Sequence, residues 1–242
     1  MCKEFYESYH AFFIKSLKTE QLKQGFRLKV IQEFLNNDIF KKKILIVGCG
    51  SGRDTSVIRN KTYAFDLSFN AVKIARQDFP GHFYLVADAN KIPFKDNCFD
   101  SVICSEVLEH VEYPDALISE FNRILRPKGE LILTVPNWLS FYGLVRKIAE
   151  IIFQKPFTAS GQPIDNWFTL KKLHILLKDY FKIQIIKGVW YYPPIGRGNK
   201  VLADPLFFYL FKSFSFLDRF LGKISPSFGS HILAIKCLKT LS

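Results

Sequence analysis

Three glycines at alternate positions, Gly48, Gly50 and Gly52, directly follow the apolar run Ile44-Leu45-Ile46-Val47 and precede Arg53-Asp54-Thr55, which can begin a helix. Glycine lets a backbone turn tightly and lie close to a ligand, and the first turn of a helix offers unpaired N–H groups. A dinucleotide loop, G-x-G-x-x-G, would need glycine at position 53, where this chain has Arg53. The spacing therefore points away from a nicotinamide dinucleotide and towards another adenosine ligand. Two acids extend the pattern. Asp66 closes the apolar segment Tyr63-Ala64-Phe65, and Asp88 closes Phe83-Tyr84-Leu85-Val86. A carboxylate in the first position can accept hydrogen bonds from both hydroxyls of a ribose, and one in the second from the exocyclic amine of adenine. Either aspartate alone is equally well a helix cap or a turn residue. It is the glycine loop and two acids in this order that favour a site.

A second group of reactive side chains lies in Ser105-Glu106-Val107-Leu108-Glu109-His110. His110 is a candidate general base, with Glu106 beside it in a catalytic role. The competing reading is that Glu109-His110 caps or packs the start of a helix. Cys104, just upstream, reads as a buried strand residue. The five cysteines include no C-x-x-C pair and no zinc-ligand spacing with histidine. Reduced thiols, together with an N-terminus whose Glu4 and Glu7 interrupt any signal-peptide pattern, suggest a cytoplasmic protein.

These groups need a scaffold. Residues 4 to 19 place Phe5, Tyr9, Phe12, Phe13 and Leu17 on one helical face, and a second amphipathic stretch carries Leu28, Ile31, Phe34 and Leu35. Ile44–Val47 reads as a strand buried on both faces of a parallel sheet. Strands at 63–66, 83–86 and 101–104 alternate with a helix at 71–77 and one opened by Pro114, with Leu117, Ile118, Phe121, Ile124 and Leu125 inward. Arg126-Pro127-Lys128-Gly129 reads as a type I turn before the strand Leu131–Val135. Beyond Pro136 the pattern loosens, with a helix expected over 167–179 and strands over 183–188 and 232–237. Alternating β and α elements imply a mostly parallel sheet with helices on both faces.

Bulk properties narrow the function classes. The chain has 242 residues and a net charge of +12. This allows one substantial domain. No basic run exceeds the three lysines 41–43, so the charge permits an anionic partner without naming one. Seven of the 25 phenylalanines fall between Phe207 and Phe228. Charges at Asp204, Lys212, Asp218 and Arg219 argue against a transmembrane span there. Residues 201–222 read instead as core packing with lid character, or as a peripheral membrane contact.

The segments ILIVGCGSG (44–52), YAFDLS (63–68), VADANKIPF (86–94), FDSVICSEVLEHV (99–111) and LRPKGELILTVPN (125–137) resemble the successive motifs of class I S-adenosylmethionine-dependent methyltransferases. The similarity is strongest to the small-molecule group that includes the ubiquinone-biosynthesis O-methyltransferases. It implies a Rossmann-like, seven-stranded α/β sheet whose last strand is antiparallel. It also implies S-adenosyl-L-methionine as cofactor, held by Gly48, Cys49, Gly50, Gly52, Asp66, Leu67, Asp88, Ala89 and Ser105. The expected organisation is a single domain: N-terminal helices over 1–40, a cofactor-binding core over 41–138, and acceptor-side insertions with the last two strands over 139–242. The expected activity is methyl transfer to a small or lipid-like acceptor, at oxygen. In ubiquinone-type relatives the segment matching Glu106, Glu109 and His110 sometimes surrounds a divalent metal, although no metal is expected here. The family usually places an acid at position 46, where this chain has Ile46. That departure keeps a non-catalytic cofactor-binding relative in play, while the net charge keeps RNA as an alternative acceptor. The Asn/Asp-Pro-Pro-aromatic signature of amino methylation on flipped bases is missing after the fourth strand, which makes nucleic acid the lesser reading.

Overall fold

A computed structural model of the chain describes residues 3–7, 18–35, 42–154, 163–191, 221 and 224–240. A helical turn at residues 3–7 precedes α1 (Lys18–Leu35) and β1 (Ile44–Val47). There follow a 3-10 turn (Arg53–Val57), β2 (Tyr63–Asp66), α2 (Phe69–Asp78), β3 (Phe83–Val86), β4 (Phe99–Ser105) and a 3-10 turn (Leu108–His110). Then come α3 (Pro114–Ile124), β5 (Leu125–Pro136), α4 (Phe141–Phe153), α5 (Leu170–Leu177), β6 (Phe181–Val189) and β7 (Ile232–Lys239).

The seven strands form one sheet in the order β3-β2-β1-β4-β5-β7-β6. β1 to β5 pair in parallel, while β7 runs antiparallel to both neighbours. All four residues of β1 are buried, as a central strand covered on both faces requires. One face packs on Leu117, Ile118, Phe121 and Ile124 of α3 and Leu173 and Leu177 of α5. The other packs on Ile31, Phe34 and Leu35 of α1 and Val72 and Ala75 of α2. The chain reaches the β3 edge and then crosses to β4 on the far side of β1. A crevice at the carboxyl ends of β1 and β4 follows from that reversal, and open α/β sheets bind ligands in such crevices.

Local chemistry sets several boundaries. The Ser68 and Thr169 side chains accept from Ala71 N and Lys172 N and so cap α2 and α5. Pro114 occupies the first turn of α3. Three expectations need correction. Lys128 has φ 62°, which excludes a type I turn at 126–129 and matches the left-handed third position of a type II turn. β5 begins at Leu125, so that residue ends α3 instead of lying on its inner face. The helix expected over 167–179 spans only Leu170–Leu177, because Phe168 pairs with Asn137 as a bridge and Thr169 is the cap. α4 was not foreseen. Tyr9, Phe12, Phe13 and Leu17 lie outside the described residues, as do Tyr192 to Phe220, which hold most of the phenylalanine-rich segment.

Candidate active site

The glycine loop leaves β1 at the crevice with Gly48, Gly50 and Gly52 all at positive φ, 66°, 50° and 86°. Side chains are excluded for different reasons. A Cβ on Gly48 would lie 2.3 Å from Val107 Cγ2, and one on Gly52 would meet Phe79 and Ala75 at 2.8 and 2.9 Å. Gly52 thus serves close packing of the loop on α2. Gly50 binds the neighbouring strand: its N–H donates to Asp66 Oδ2 at 2.8 Å, while Ser68 N donates to Asp66 Oδ1 at 2.9 Å. The loop and the first acid are therefore one unit. Each Asp66 oxygen still has an acceptor position for a ribose hydroxyl. Leu67, half-buried, follows at the mouth. Cys49 is buried, and burial with the nearby charges of Asp66 and Asp54 pushes its thiol well up, which removes it as a nucleophile.

Asp88 stands two residues beyond the end of β3. It is exposed, and its Oδ1 accepts from Asn90 N and Asn90 Nδ2, both at 2.8 Å. This turn holds Asp88 and the half-buried Ala89 at the same sheet edge as Asp66.

Behind the glycine loop, Ser105 and Glu106 are joined by three residues that the sequence did not single out for the site, Arg27, Asp54 and Thr134. Arg27 of α1 forms a two-pronged ion pair with Asp54, Nη2 to Oδ1 at 2.7 Å and Nη1 to Oδ2 at 3.2 Å, with both side chains about nine-tenths buried. Arg27 Nη1 also donates to Ser105 Oγ at the end of β4. Ser105 Oγ lies 2.8 Å from Thr134 Oγ1, which donates to Glu106 Oε1 at 3.1 Å. With arginine only a donor, the chain runs from Arg27 through Ser105 and Thr134 to Glu106. A signal for it was present: Arg27 sits four residues before Ile31 and seven before Phe34, a charged residue on the buried stripe of its own helix. Asp54 also brings a carboxylate to the loop whose strand carries the fully buried Ile46.

The segment after β4 turns sharply at Glu106, φ 56°, whose N–H donates to Thr134 O at 2.9 Å. His110 is largely buried with Nδ1 2.9 Å from the carbonyl oxygen of Ile164. A carbonyl only accepts, so Nδ1 carries the proton and Nε2 the lone pair. Burial holds the imidazolium below its usual range, against the opposing pull of the Ile164 carbonyl and Asp165. Nε2 lies 3.8 Å from Glu109 Oε1. Glu109 is 1% exposed, and its Oε2 has no hydrogen-bond partner among the described residues. Burial first, then the neighbouring charge of Glu106, pushes this carboxyl well above the ordinary range. Cys104 is fully buried in β4, its thiol pushed well up by burial, as a strand residue should be. Among the described residues no three His, Cys, Asp or Glu side chains converge to hold a metal.

The N-terminal turn reaches across this edge. The Glu7 carboxylate accepts from Phe69 N at 2.6 Å, Asn70 N at 3.1 Å and Ser68 Oγ at 3.0 Å, while the Tyr6 ring lies 6.2 Å from that of His110. Residues 3–7 therefore bridge the ends of β2 and β4.

This donor set suits a ligand with a ribose diol and an adenine amine at one end and an amino-acid carboxylate at the other. The two aspartates are acceptors at the sheet edge, and Arg27, paired with Asp54, is the buried cation beside Ser105. A methyltransferase-domain family model matches residues 45–133, the span from the glycine loop past His110. An uncharacterised protein of Methanocaldococcus jannaschii is 34% identical over 170 residues, covering 65% of this chain and 72% of its own length. A demethylmenaquinone methyltransferase of Streptomyces avermitilis is 32% identical over 79 residues, covering 31% of this chain and only 34% of the relative. A crystal structure of a SAM-dependent methyltransferase from Thermotoga maritima shares the fold with a TM-score of 0.64 at 17% identity, covering 98% of both chains. With that fold, an antiparallel β7 and the matched segment carrying the glycine loop, both acids and His110, the chain belongs to the class I methyltransferases that draw their methyl group from S-adenosyl-L-methionine.

Proposed function

We propose that the chain methylates a small or lipid-like acceptor, at an oxygen atom, with His110 taking the acceptor's proton. The observation that carries this reading is the state of His110: one nitrogen is fixed on the Ile164 carbonyl and the other keeps its lone pair, at the crevice edge where the acceptor must come. S-Adenosylmethionine supplies a methyl group on a positively charged sulfur, the hard part of the chemistry. The protein's residues position and deprotonate. Asp66 and the Asp88-Ala89 turn would hold the nucleoside, the glycine loop would lie along it, and Arg27 with Ser105 would face the amino-acid carboxylate. Glu106, at the end of the hydrogen-bonded chain from Arg27, would link cofactor binding to the turn that carries His110. Holding the acceptor in line with the methyl accounts for much of such a rate. The buried carboxylate of Asp54 supports catalysis in spite of Ile46, since it supplies an acid at the glycine loop.

We read residues 1–242 as one methyltransferase domain with 139–242 on the acceptor side. The relative named for demethylmenaquinone, an apolar quinone, is consistent with a greasy acceptor. The test is transfer of labelled methyl from S-adenosylmethionine to oxygen-bearing acceptors fractionated by polarity. Label should enter the apolar fraction. His110→Gln should lower kcat about 100-fold or more while affinity for S-adenosylhomocysteine stays unchanged. Equal turnover by the variant would remove His110 as the base, and label in RNA would replace the acceptor class.

A further inference from the structure

α4 is amphipathic the wrong way round for a helix packed on a core. Its buried residues are Gly143 and Arg146. Gly143 lies so close to Trp138 that a Cβ would sit 2.1 Å from its carbonyl oxygen. Arg146 donates to Asp165 Oδ2 and to the Asp165 carbonyl, both at 2.9 Å, and its guanidinium lies 5.0 and 5.1 Å from the rings of Trp138 and Trp167. Tyr142, on the same inner side, stacks on His231 at 3.9 Å. The polar and aromatic face thus holds the helix to the body. The outer face carries Phe141, Leu144, Val145, Ile148, Ile151 and Ile152, a spacing that keeps them on one side of a helix. All are exposed, Ile151 and Ile152 by 66% and 67%.

The patch continues beyond the helix. Gly229 N donates to Leu139 O at 2.7 Å, which brings Phe228, 70% exposed, beside Leu139 at the start of α4. So many large apolar side chains, each about half exposed or more, amount to a surface on the order of several hundred Å², at or beyond the largest patch of an ordinary monomer. Lys147 is exposed on α4, Arg146 and Glu150 of the same helix pair with each other at 3.1 Å, and the whole chain carries +12. An apolar helix face on a cationic body is what binds the headgroup region of an anionic bilayer, apolar residues in the acyl boundary and lysines at the phosphates.

We propose that the outer face of α4, with Leu139 and Phe228, docks the protein on an anionic membrane surface. The surface rests on its own geometry and stands whether or not the acceptor is lipid-like. Its position nonetheless bears on the site. α4 follows the carboxyl end of β5, and the Asp165 that Arg146 grips adjoins the Ile164 carbonyl that holds His110.

The test is flotation of the full chain with vesicles of phosphatidylcholine containing about 30% phosphatidylglycerol, alongside pure phosphatidylcholine vesicles. Binding should be strong to the former, weak to the latter, and reduced by added salt. The paired change Ile151→Glu and Ile152→Glu should reduce it about tenfold or more with an unchanged melting temperature, since those side chains face outward. Phe141→Trp, on the outer face and 50% exposed, should gain indole quenching by brominated lipid. Failure to float, or flotation indifferent to the paired change, would overturn the proposal. So would a paired variant that unfolds, which would mean that another part of the chain covers the face, or a wild-type dimer that the change splits into monomers, which would make a second copy the occupant. Absence of quenching in Phe141→Trp would overturn the proposal independently.

Discussion

Arg27 offers the sharpest separation between holding the fold and holding the cofactor. Its guanidinium is bound twice by Asp54, with the two side chains 10% and 7% exposed, and once by Ser105. Arg27→Met removes the positive partner and leaves a buried carboxylate without its countercharge. For buried pairs this costs about 3–5 kcal/mol. Asp54→Asn added to Arg27→Met removes the stranded charge, so the double variant should recover at least about 1 kcal/mol relative to the sum of the two single changes. The functional effect is separable. If Arg27 also meets the amino-acid carboxylate of the cofactor, its loss removes a hydrogen bond to a charged group, about 1.5–3 kcal/mol, or roughly 10- to 150-fold in affinity. Titration calorimetry on folded protein in the cold can read this with two ligands. S-Adenosylhomocysteine carries the carboxylate, while 5′-methylthioadenosine has the nucleoside without it. Arg27→Met should weaken the first by the stated factor and leave the second within about threefold. Equal weakening of both ligands would show that Arg27 acts only by keeping the loop folded. Unchanged affinity for both would remove it from the site.

Three further outcomes follow from the same geometry. Burial holds the His110 imidazolium below its ordinary value of 6.5, so the neutral base persists below that pH, and the acid limb of kcat/KM should lie under 6.5; a limb at or above 6.5 would contradict the assignment. Glu109 has its carboxyl raised above the ordinary 4.5, so the folded state holds the proton more tightly than the unfolded state. Its contribution is present in acid and is lost as pH rises through the raised value. Glu109→Gln should accordingly melt higher than wild type at pH 8, with the gap closing towards pH 5; a pH-independent gap would refute this. Gly48→Ala places a methyl against Val107 and in a left-handed conformation, and should destabilise by about 1–3 kcal/mol by denaturant titration, with Val107→Ala restoring part of the loss.

The sheet was legible where burial imposes a simple pattern. β1 stops where its apolar run stops and β2 one residue later, at Asp66, because a strand covered on both faces admits little else, and the glycine or acid there lies at the open edge. The place of Asp66 at that edge was readable for the same reason, but its two backbone partners were not, since Gly50 N approaches it only after β1 and β2 pair. The limits lay in non-local polar contacts. Nothing near Asp54 in sequence names Arg27, 27 residues away, and the pair becomes visible only when α1 packs across the loop. The turn at 126–129 misled because proline second and glycine fourth suit type I, whereas Lys128 takes the left-handed conformation where 126–129 bulge out between the Leu125 and Glu130 pairings with β4. α4 was missed for a deeper reason. Its apolar stripe would suit core packing, and only Arg146 and the surrounding tryptophans decide which side faces inward.

The strap at 164–168 ties α4 to the turn that carries His110 and to the end of β5. Ile164 O holds the His110 ring, Asn166 N donates to Glu109 O at 2.8 Å, and Phe168 N donates to Pro136 O at 3.1 Å at the end of β5. Within those few residues Asp165 takes Arg146 of α4 and the Trp167 indole N–H, the latter at 2.9 Å. A displacement of α4 therefore has a short covalent and hydrogen-bonded route to the tautomer and orientation of His110, and none of comparable length to Asp66 or the glycine loop, which are fixed by β2 and α2. On the proposed reading, cofactor affinity and acceptor deprotonation would thus be held by different elements of one sheet edge. Changes in α4 would then leave the grip on the nucleoside intact and be felt first at His110.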